Sequence, residues 1–188
     1  MNNMHYIDAT KYWLEKTIIG FNFCPFAKKE FVSNKIHYEV IDEQNTEEQL
    51  HALFHEFKRL DENPELATTL VILPVGLESF FDYLEFLELS HDLLESAEYE
   101  GIYQLASFHP DYCFEDVKQD DTSNYTNRSP FPTIHIIRED SLERVLASYP
   151  NPEHIPQRNI DLANKQGATV FENILKSSLN NTSVIDHG

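Results

Sequence analysis

The sequence is short of glycine and cysteine, and both shortages exclude common kinds of active site. With five glycines, the chain has no Gly-rich phosphate-binding loop, and it also lacks the Gly-x-Ser-x-Gly, His-Glu-x-x-His and Cys-x-x-Cys motifs. Its two cysteines, Cys24 and Cys113, are too few for a disulfide framework. We therefore expect two free thiols and none of the familiar nucleotide-binding, serine-hydrolase or zinc-protease sites.

Long apolar runs are missing as well. No stretch approaches the roughly 18 consecutive apolar residues that a membrane-spanning helix needs. The first residues, MNNMHYIDATKYW, have neither the basic flank nor the apolar centre of a signal peptide. These absences predict a cytoplasmic protein that binds no membrane.

Basic residues are scarce, since 14 Lys and Arg stand against 32 Asp and Glu and give a formal net charge of −18. Such a surface repels the phosphates of nucleic acids and anionic lipid headgroups, so we expect neither as a partner. A small polar or anionic molecule could still bind through a few local basic residues, for which the candidates are Lys28, Lys29, Arg128 and Arg138. No pattern selects a cofactor or an oligomeric state.

The composition that remains is typical of a globular protein, with 41% hydrophobic and 24% charged residues. A chain of 188 residues is long enough for one substantial core. We predict a single globular domain over residues 1–178 and a disordered C-terminal tail over residues 179–188.

The periodicity of apolar residues predicts alternating helices and strands. Strands are expected at residues 36–41, 69–73, 102–107 and 133–137, and helices at 8–20, 25–31, 46–60, 77–97, from 140, and up to about 175 with a weak point at Gly167. At least two strands carry one polar face, which a sheet covered on both sides would not. We therefore predict an α+β fold, a two-layer sandwich with a mixed sheet of about four strands and helices mainly on one face. The alternative is a three-layer α/β fold.

The connection over residues 108–132 is the most promising place for a site. It has no helical or strand period, and loops longer than about 12–15 residues in a compact domain are usually functional or disordered. Its two ends, residues 108–112 and 124–132, are dense in aromatic, polar and proline residues. A loop held at two strand ends is a common way to build a site.

Three separated segments resemble an uncharacterised bacterial family, domain-of-unknown-function family 1415. They are the run GFNFCPFA at residues 20–27, the run SFHPDY at residues 107–112, and residues 124–132 with His135 and Arg138 beyond them. The resemblance extends from about Asp8 to the C-terminal helix and departs at Phe21 and Phe23, where leucines are expected, and in the tail. Because the family has no established activity, the resemblance implies no catalytic roles.

Cys24 has two interpretations. If it caps a helix beginning at Pro25, the positive end of that helix and the nearby Lys28 and Lys29 favour the thiolate, which would serve as a nucleophile or redox group. The neighbouring phenylalanines favour the other interpretation, in which Cys24 is a buried and inert packing residue. Faster alkylation than that of a free thiol would support the first.

His109 and Asp111 have three interpretations. With His135 they could supply the ligands of a two-His-one-carboxylate metal site. Alternatively, His109 could be a general acid or base that a neighbouring residue orients. In the third interpretation His109-Pro110-Asp111 is only a turn, with Asp111 accepting backbone hydrogen bonds.

The two arginines near the loop also have alternatives. Arg128 could grip a carboxylate or phosphate with its guanidinium group, or it could form an internal ion pair. Arg138, at a strand end, is more typical of a structural residue. His135 alternates with Ile134 and Ile136 and so faces the opposite side of its strand.

Our leading hypothesis is an enzyme that acts on a small polar or anionic substrate through a Cys/His/Arg site. Cys24 would be the nucleophile, His109 its base and Arg128 the anion clamp, with Asp111 as an orienting group. The candidate substrate-binding residues are Asn22, Asn124, Tyr125, Asn127, His135 and Arg138. The hypothesis requires Cys24 and His109 to lie on the same side of the sheet.

Two other classes of function remain open. In a non-catalytic binding or scaffold protein, the loop would dock a partner through exposed Tyr112, Tyr125 and Phe131, and burial of these aromatics would argue against this role. The third hypothesis is a metal-dependent enzyme that uses His109, Asp111 and His135.

Overall fold

The computed structural model describes residues 3–180 and has an α+β fold, as predicted. The described part contains seven α-helices and a four-stranded mixed sheet, with 56% helix and 12% strand. The strands are β1 Ile36–Val40, β2 Thr68–Ile72, β3 Tyr103–Phe108 and β4 Thr133–Arg138. The helices are α1 Asn3–Trp13, α2 Ala27–Val32, α3 Thr46–Glu62, α4 Phe80–Ser96, α5 Glu139–Ala147, α6 Ile155–Gln166 and α7 Ala168–Asn180.

The sheet has the strand order β1-β2-β4-β3. β1 and β2 are parallel and are joined through α3, whereas β4 is antiparallel to both of its neighbours. Every residue of β2 is buried, which agrees with the continuous apolar run that predicted a central strand. Each of the four predicted strands is present, with its ends within one residue of the expected positions.

Side-chain caps define the starts of the two long helices that follow β1 and β2. The Asn45 side chain accepts hydrogen bonds from the N–H groups of Glu47 and Glu48 at the start of α3. Ser79 accepts from the N–H of Asp82 at the start of α4. Such caps satisfy N–H groups that the helix itself leaves unpaired.

Helices cover both faces of the sheet. On one face, which we call the α4 face, Val71, Ile134 and Leu105 pack against the buried side chains of α3 and α4. On the other, the α1 face, Leu70 packs with Trp13, Ala163 and Phe171 from α1, α6 and α7. His135, Ala106 and Phe108 lie on this same face of the sheet.

The layering therefore differs from the two-layer arrangement that we expected. The polar residues that suggested a face without helices lie either within the buried strand β2 or at the two edges of the sheet. Thr68 and Thr69 are buried within β2, where Thr68 forms hydrogen bonds. His37 and Glu39 lie on β1 at one edge of the sheet, and Gln104 lies exposed on β3 at the other edge. Polar residues at sheet edges do not require a face free of helices.

The segment between α1 and α2 is tightly constrained. A π-helical turn, Leu14–Ile19, extends α1 to Gly20, where a Cβ atom would lie 2.3 Å from the carbonyl oxygen of Lys16. Asn22 follows with a left-handed φ of 53°. Its carbonyl oxygen accepts a hydrogen bond from Arg158, which ties this segment to α6. The segment thereby holds Cys24 against the α1 face of the sheet.

Helix ends were predicted less well than strand ends. Asp8 was predicted as the N-cap of the first helix, but α1 begins at Asn3, so Asp8 lies inside it. The predicted C-terminal helix is divided at Gly167, which has a φ of 83°, into α6 and α7. α7 continues to Asn180, two residues into the predicted tail, and residues 181–188 of that tail lie outside the described residues. No helix in residues 3–180 is long and apolar enough to cross a membrane.

Candidate functional site

A cavity of about 330 Å³ lies on the α1 face of the sheet. It is covered by α1, by the segment between α1 and α2 that carries Cys24 (the Cys24 segment), and by the start of α6. Its lining is mainly apolar and comprises Trp13, Leu14, Ile18, Phe23, Ala27, Leu70, Ala106, Phe108, Phe114, Ile137, Ile155, Pro156 and Ile160. Polar side-chain groups come from Cys24, Thr126, Asn127, His135 and Asn159, and Trp13 adds its indole nitrogen. Among the described residues, no Lys, Arg, Asp or Glu lines the cavity.

His135 enters the cavity from the sheet. Its Nε2 lies 2.6 Å from the Thr68 hydroxyl oxygen, and that hydroxyl donates its own proton to the carbonyl oxygen of Ile136. Because one hydroxyl has one proton, it must accept from His135, which places the imidazole proton on Nε2. Burial lowers the pKa of His135 to about 4, so the ring is neutral near pH 7.

Cys24 lies in the cavity wall beside Phe23 and Ala27. Burial raises the pKa of its thiol, although the N–H groups of Phe26 and Ala27 act in the opposite direction. α2 begins at Ala27 with Phe26 as its N-cap residue, so the prediction that Cys24 caps a helix beginning at Pro25 was wrong. The effect of the two N–H groups on the thiol is smaller than the cost of removing a charge from water. Lys28 and Lys29 are exposed to solvent. Cys24 is a protonated thiol at neutral pH.

Trp13 is a third polar group in the wall. Its side chain is 1% exposed and packs edge-on against Phe108, with ring centroids 5.2 Å apart. The indole Nε1–H is buried and has no hydrogen-bond partner in the described part of the chain. Trp13 was not among the predicted site residues, because nothing in a helical pattern distinguishes a core tryptophan from one that borders a cavity.

The side chains of the two asparagines in the cavity wall already form hydrogen bonds to the protein backbone. Asn127 donates to the carbonyl oxygen of Ser107 at 3.1 Å. Asn159 donates to the carbonyl oxygen of Phe23 at 2.7 Å and accepts from Arg158. Asn127 was a predicted binding residue, whereas Asn159 was not, since a polar residue in a helix gives no such signal by itself.

His109 lies on the other side of the sheet from Cys24. Its ring is fully buried against Phe80 and Tyr83 of α4. Nδ1 accepts from the N–H of Asp111, and Nε2 donates to the carbonyl oxygen of Leu77, both at 3.0 Å. Burial lowers the pKa of His109. The arrangement is that of a turn with both ring nitrogens occupied, and the required pairing of Cys24 with His109 is absent.

Arg128 is also separate from the cavity. Its Nε donates to the carbonyl oxygen of Tyr112 and its Nη2 to that of Gln119, at 3.2 and 2.6 Å. The guanidinium carbon lies 4.6 Å from the centre of the Tyr125 ring. These contacts hold the two ends of the 108–132 loop together. Asp111 is exposed and borders the same surface groove as Arg128.

The other predicted binding residues mainly stabilise loops. Asn124 is buried, accepts from the N–H of Phe114 and donates to the carbonyl oxygen of Lys118. Asn22 is exposed and contributes its carbonyl oxygen to the contact with α6. Arg138 donates to the carbonyl oxygens of Leu60, Asn63 and Leu66 around the end of α3. None of these three side chains lines the cavity in the described structure.

The aromatic residues proposed for docking are packed within the protein. Tyr125 is 7% exposed, stacks on Phe171 and donates to Glu172. Tyr112 is half-buried between the rings of Phe80 and Phe114, and Phe131 is half-buried against Tyr6. This burial argues against a docking surface formed by the loop.

The structure does not bring His109, Asp111 and His135 together, because the two histidines are on opposite faces of the sheet. The group in the described residues that could hold a metal ion is instead His37, Glu39 and Glu56, whose ligand atoms lie within 4.8 Å of one another. Arg59 Nε donates to both oxygens of Glu56 at 2.9 and 3.0 Å. These side chains form an ion-pair network. Its signal in the sequence was the alternation His-x-Glu on one face of β1.

Comparison with known proteins identifies the family but no activity. Neither the search of curated proteins nor the search of solved structures gave a match. A family model described as a protein of unknown function (DUF1415) matches residues 5–173. It covers the Cys24 segment, the 108–132 loop and all lining residues of the cavity. The chain therefore belongs to the DUF1415 family.

Proposed function

We propose that the protein binds a small, uncharged and largely apolar molecule in the cavity on the α1 face. The observation that carries this proposal is the cavity itself, about 330 Å³ in volume and free of charged side chains among the described residues. A cavity of about 150 Å³ with an apolar lining accommodates benzene, so this one has room for a larger molecule. Ligand sites commonly combine an apolar lining with a few polar groups.

Binding is better supported here than thiol catalysis. A thiol whose pKa is raised by burial is a weak nucleophile, and a histidine with a pKa of about 4 is a weak base near pH 7. The anionic substrate of our leading hypothesis also lacks a counter-charge at this cavity, because Arg128 is engaged with the carbonyl oxygens of the loop. The chemistry that remains is hydrophobic contact with a small number of hydrogen bonds.

The test is to fill the cavity. Ala106 lines it from β3, and Ala106→Phe places a ring in the space that a ligand would occupy. The matched control is Gln104→Phe, an exposed position on the same strand and the same face of the sheet. Fluorescence titration with the uncharged probe N-phenyl-1-naphthylamine measures the affinity.

We expect saturable binding to the wild-type protein and to Gln104→Phe, and at least a tenfold weaker affinity for Ala106→Phe. Ile160→Ala, which enlarges the cavity, is expected to retain binding and shows whether any change of the lining abolishes it. Circular dichroism of Ala106→Phe checks that the filled variant is folded. Equal affinities of the wild type, Gln104→Phe and Ala106→Phe would contradict the proposal, as would the absence of saturable binding.

A further inference from the structure

We infer that α3 carries a surface site for a divalent transition-metal ion of the zinc class, with His51 and His55 as imidazole ligands and Glu48 as the carboxylate ligand. The three residues line one groove on the exposed side of α3, and that groove shares no residue with the cavity on the α1 face. The inference is therefore independent of the proposed function.

The spacing of the two histidines is that of a helical chelate. Residues four apart in an α-helix lie one above the other on the same face, and this is how the two histidines of a His-Glu-x-x-His helix bind zinc. Here the run is His-Ala-Leu-Phe-His at residues 51–55, so the glutamate that acts as a base in that motif is replaced by alanine. The run keeps the metal-binding half of the motif without its catalytic half.

The two rings already lie at the separation that a shared ion requires. Zn–N bonds are about 2.0–2.1 Å long, so a tetrahedral ion places the centres of two ligating imidazoles roughly 5 Å apart. The ring centres of His51 and His55 are 4.7 Å apart, and the rings are inclined by 81°. Both side chains are exposed, so each ring can turn a nitrogen towards the ion while the backbone of α3 stays in place.

Carboxylates surround the pair. Glu43, Glu47 and Glu48 line the same surface groove as the two histidines. Glu48 precedes His51 by three residues and His55 by seven, so these three side chains lie along one stripe of the helix. The acidic groups attract a cation, and Glu47 and Glu48 in the first turn offset the positive end of α3. Two imidazoles and one carboxylate are a common ligand set for zinc.

The groove is held in shape by hydrogen bonds at the start of α3. The Asn45 side chain caps the helix. The buried Gln49 side chain donates to the carbonyl oxygens of Glu43 and Val75, at 2.8 and 3.0 Å. A ligand set on a fixed backbone loses less conformational freedom when an ion binds.

The pair is also better suited to an ion than the network of His37, Glu39 and Glu56. In that network Arg59 donates to both oxygens of Glu56, so a metal ion has to displace a guanidinium group. Among residues 3–180, by contrast, Glu48 forms no ion pair, and neither histidine of the pair forms a hydrogen bond or an ion pair.

The experiment is calorimetric titration of the full-length protein, purified without an affinity tag, with Zn²⁺ and separately with Mg²⁺. Imidazole is a good ligand for Zn²⁺, whereas Mg²⁺ prefers oxygen ligands and retains its water. We expect saturable binding of Zn²⁺ at one ion per chain and no such binding of Mg²⁺. His51→Asn and His55→Asn are each expected to weaken Zn²⁺ binding about tenfold or more, because each leaves a single imidazole.

The matched control keeps the number of histidines and changes only their spacing. His55→Asn/Lys58→His moves the second imidazole about 10 Å along the helix from His51, which is too far for both to bind one ion. The change also removes a positive charge, which by itself favours a cation. We expect this double variant to bind Zn²⁺ as weakly as His55→Asn, and His37→Asn to keep the wild-type affinity.

A second pair of variants tests the carboxylate. Glu48→Gln and Glu43→Gln each remove one negative charge from the same groove, but only Glu48 lies on the stripe of the two histidines. We expect the larger loss of Zn²⁺ affinity in Glu48→Gln. Equal losses in the two variants would overturn Glu48 as a ligand and leave it as one charge among several.

Four outcomes would overturn the metal site itself. They are the absence of saturable Zn²⁺ binding, equal binding of Mg²⁺, equal Zn²⁺ affinities of the wild type and the spacing variant, and a loss of binding in His37→Asn that His51→Asn does not share. The last would place the ion in the ion-pair network. The replaced side chains of α3 are exposed, so the variants are expected to fold, and circular dichroism checks this.

Discussion

Cys24 illustrates how two effects of known sign compete at one residue. The N–H groups of Phe26 and Ala27 favour the thiolate, although Cys24 precedes the N-cap residue Phe26 and does not itself cap α2. Burial against the α1 face favours the neutral thiol, and it is the larger effect. Local sequence reveals the first effect and not the second, because burial depends on where α6 and the sheet lie relative to this segment.

We predict that Cys24 reacts slowly with iodoacetamide in the native protein. Because its pKa is raised and its side chain lies in the cavity wall, alkylation near pH 7.5 is expected to be at least tenfold slower than in the denatured chain. Mass mapping after limited labelling distinguishes Cys24 from Cys113. Labelling of native Cys24 faster than that of the denatured chain would restore the reactive thiol of the leading hypothesis.

We also predict a pH-dependent stability from His135. The folded pKa is about 4, and the unfolded value is about 6.5. Between these values the unfolded chain binds a proton that the folded chain does not, so the free energy of unfolding decreases as the pH falls from 6.5 towards 4. A pKa difference of this size corresponds to a decrease of at most about 3 kcal/mol.

The measurement is urea unfolding of the wild type and His135→Asn at several pH values in this range. We expect the wild type to lose more stability than the variant on acidification, since asparagine does not titrate. His154→Asn, at an exposed histidine, is the control and is expected to keep the wild-type slope. Identical slopes in the wild type and His135→Asn would show that His135 is not neutral and buried in the folded state.

At the scale of elements, the sequence predicted what depends on local periodicity. β2 was found because Leu70 to Leu73 is an unbroken apolar run, and α3 because its apolar residues recur at helical spacing. The division between α6 and α7 was only partly predicted, as a weak point at Gly167. A positive φ at one glycine ends α6 there, and a pattern of hydrophobicity does not record that angle.

The site required information that no single element contains. Phe108 and His109 are adjacent in sequence, yet Phe108 packs against Trp13 on the α1 face and His109 packs against Tyr83 of α4. His135 joins the cavity with Ala106 because β4 pairs with β3, and strand order is a long-range property. Grouping Cys24, His109 and Arg128 by their chemistry could not anticipate this separation. Of the predicted site residues, Cys24, Asn127 and His135 line the cavity.

At the scale of the whole molecule, electrostatic repulsion among the many acidic residues lowers the free energy of unfolding. With a formal net charge of −18, the compact state concentrates repulsion that the unfolded chain spreads over a larger volume. The described ion pairs relieve little of it, since most lie at the surface, where such pairs contribute about 0–1 kcal/mol. Dissolved salt should relieve more, because it screens all of the charges together.

We therefore predict that the midpoint of thermal unfolding rises with ionic strength. Between about 0.01 M and 0.15 M salt the Debye length falls from about 30 Å to about 8 Å, which screens charges across a molecule of this size. A gain of about 1 kcal/mol corresponds to a rise of about 2–4 °C. The matched variant carries Glu85→Lys and Asp92→Lys, at two exposed positions of α4. It is expected to melt higher than the wild type at low salt and to gain less from added salt. A midpoint that is independent of salt in both proteins would mean that local ion pairs, such as the network of Glu56 and Arg59, already balance the repulsion.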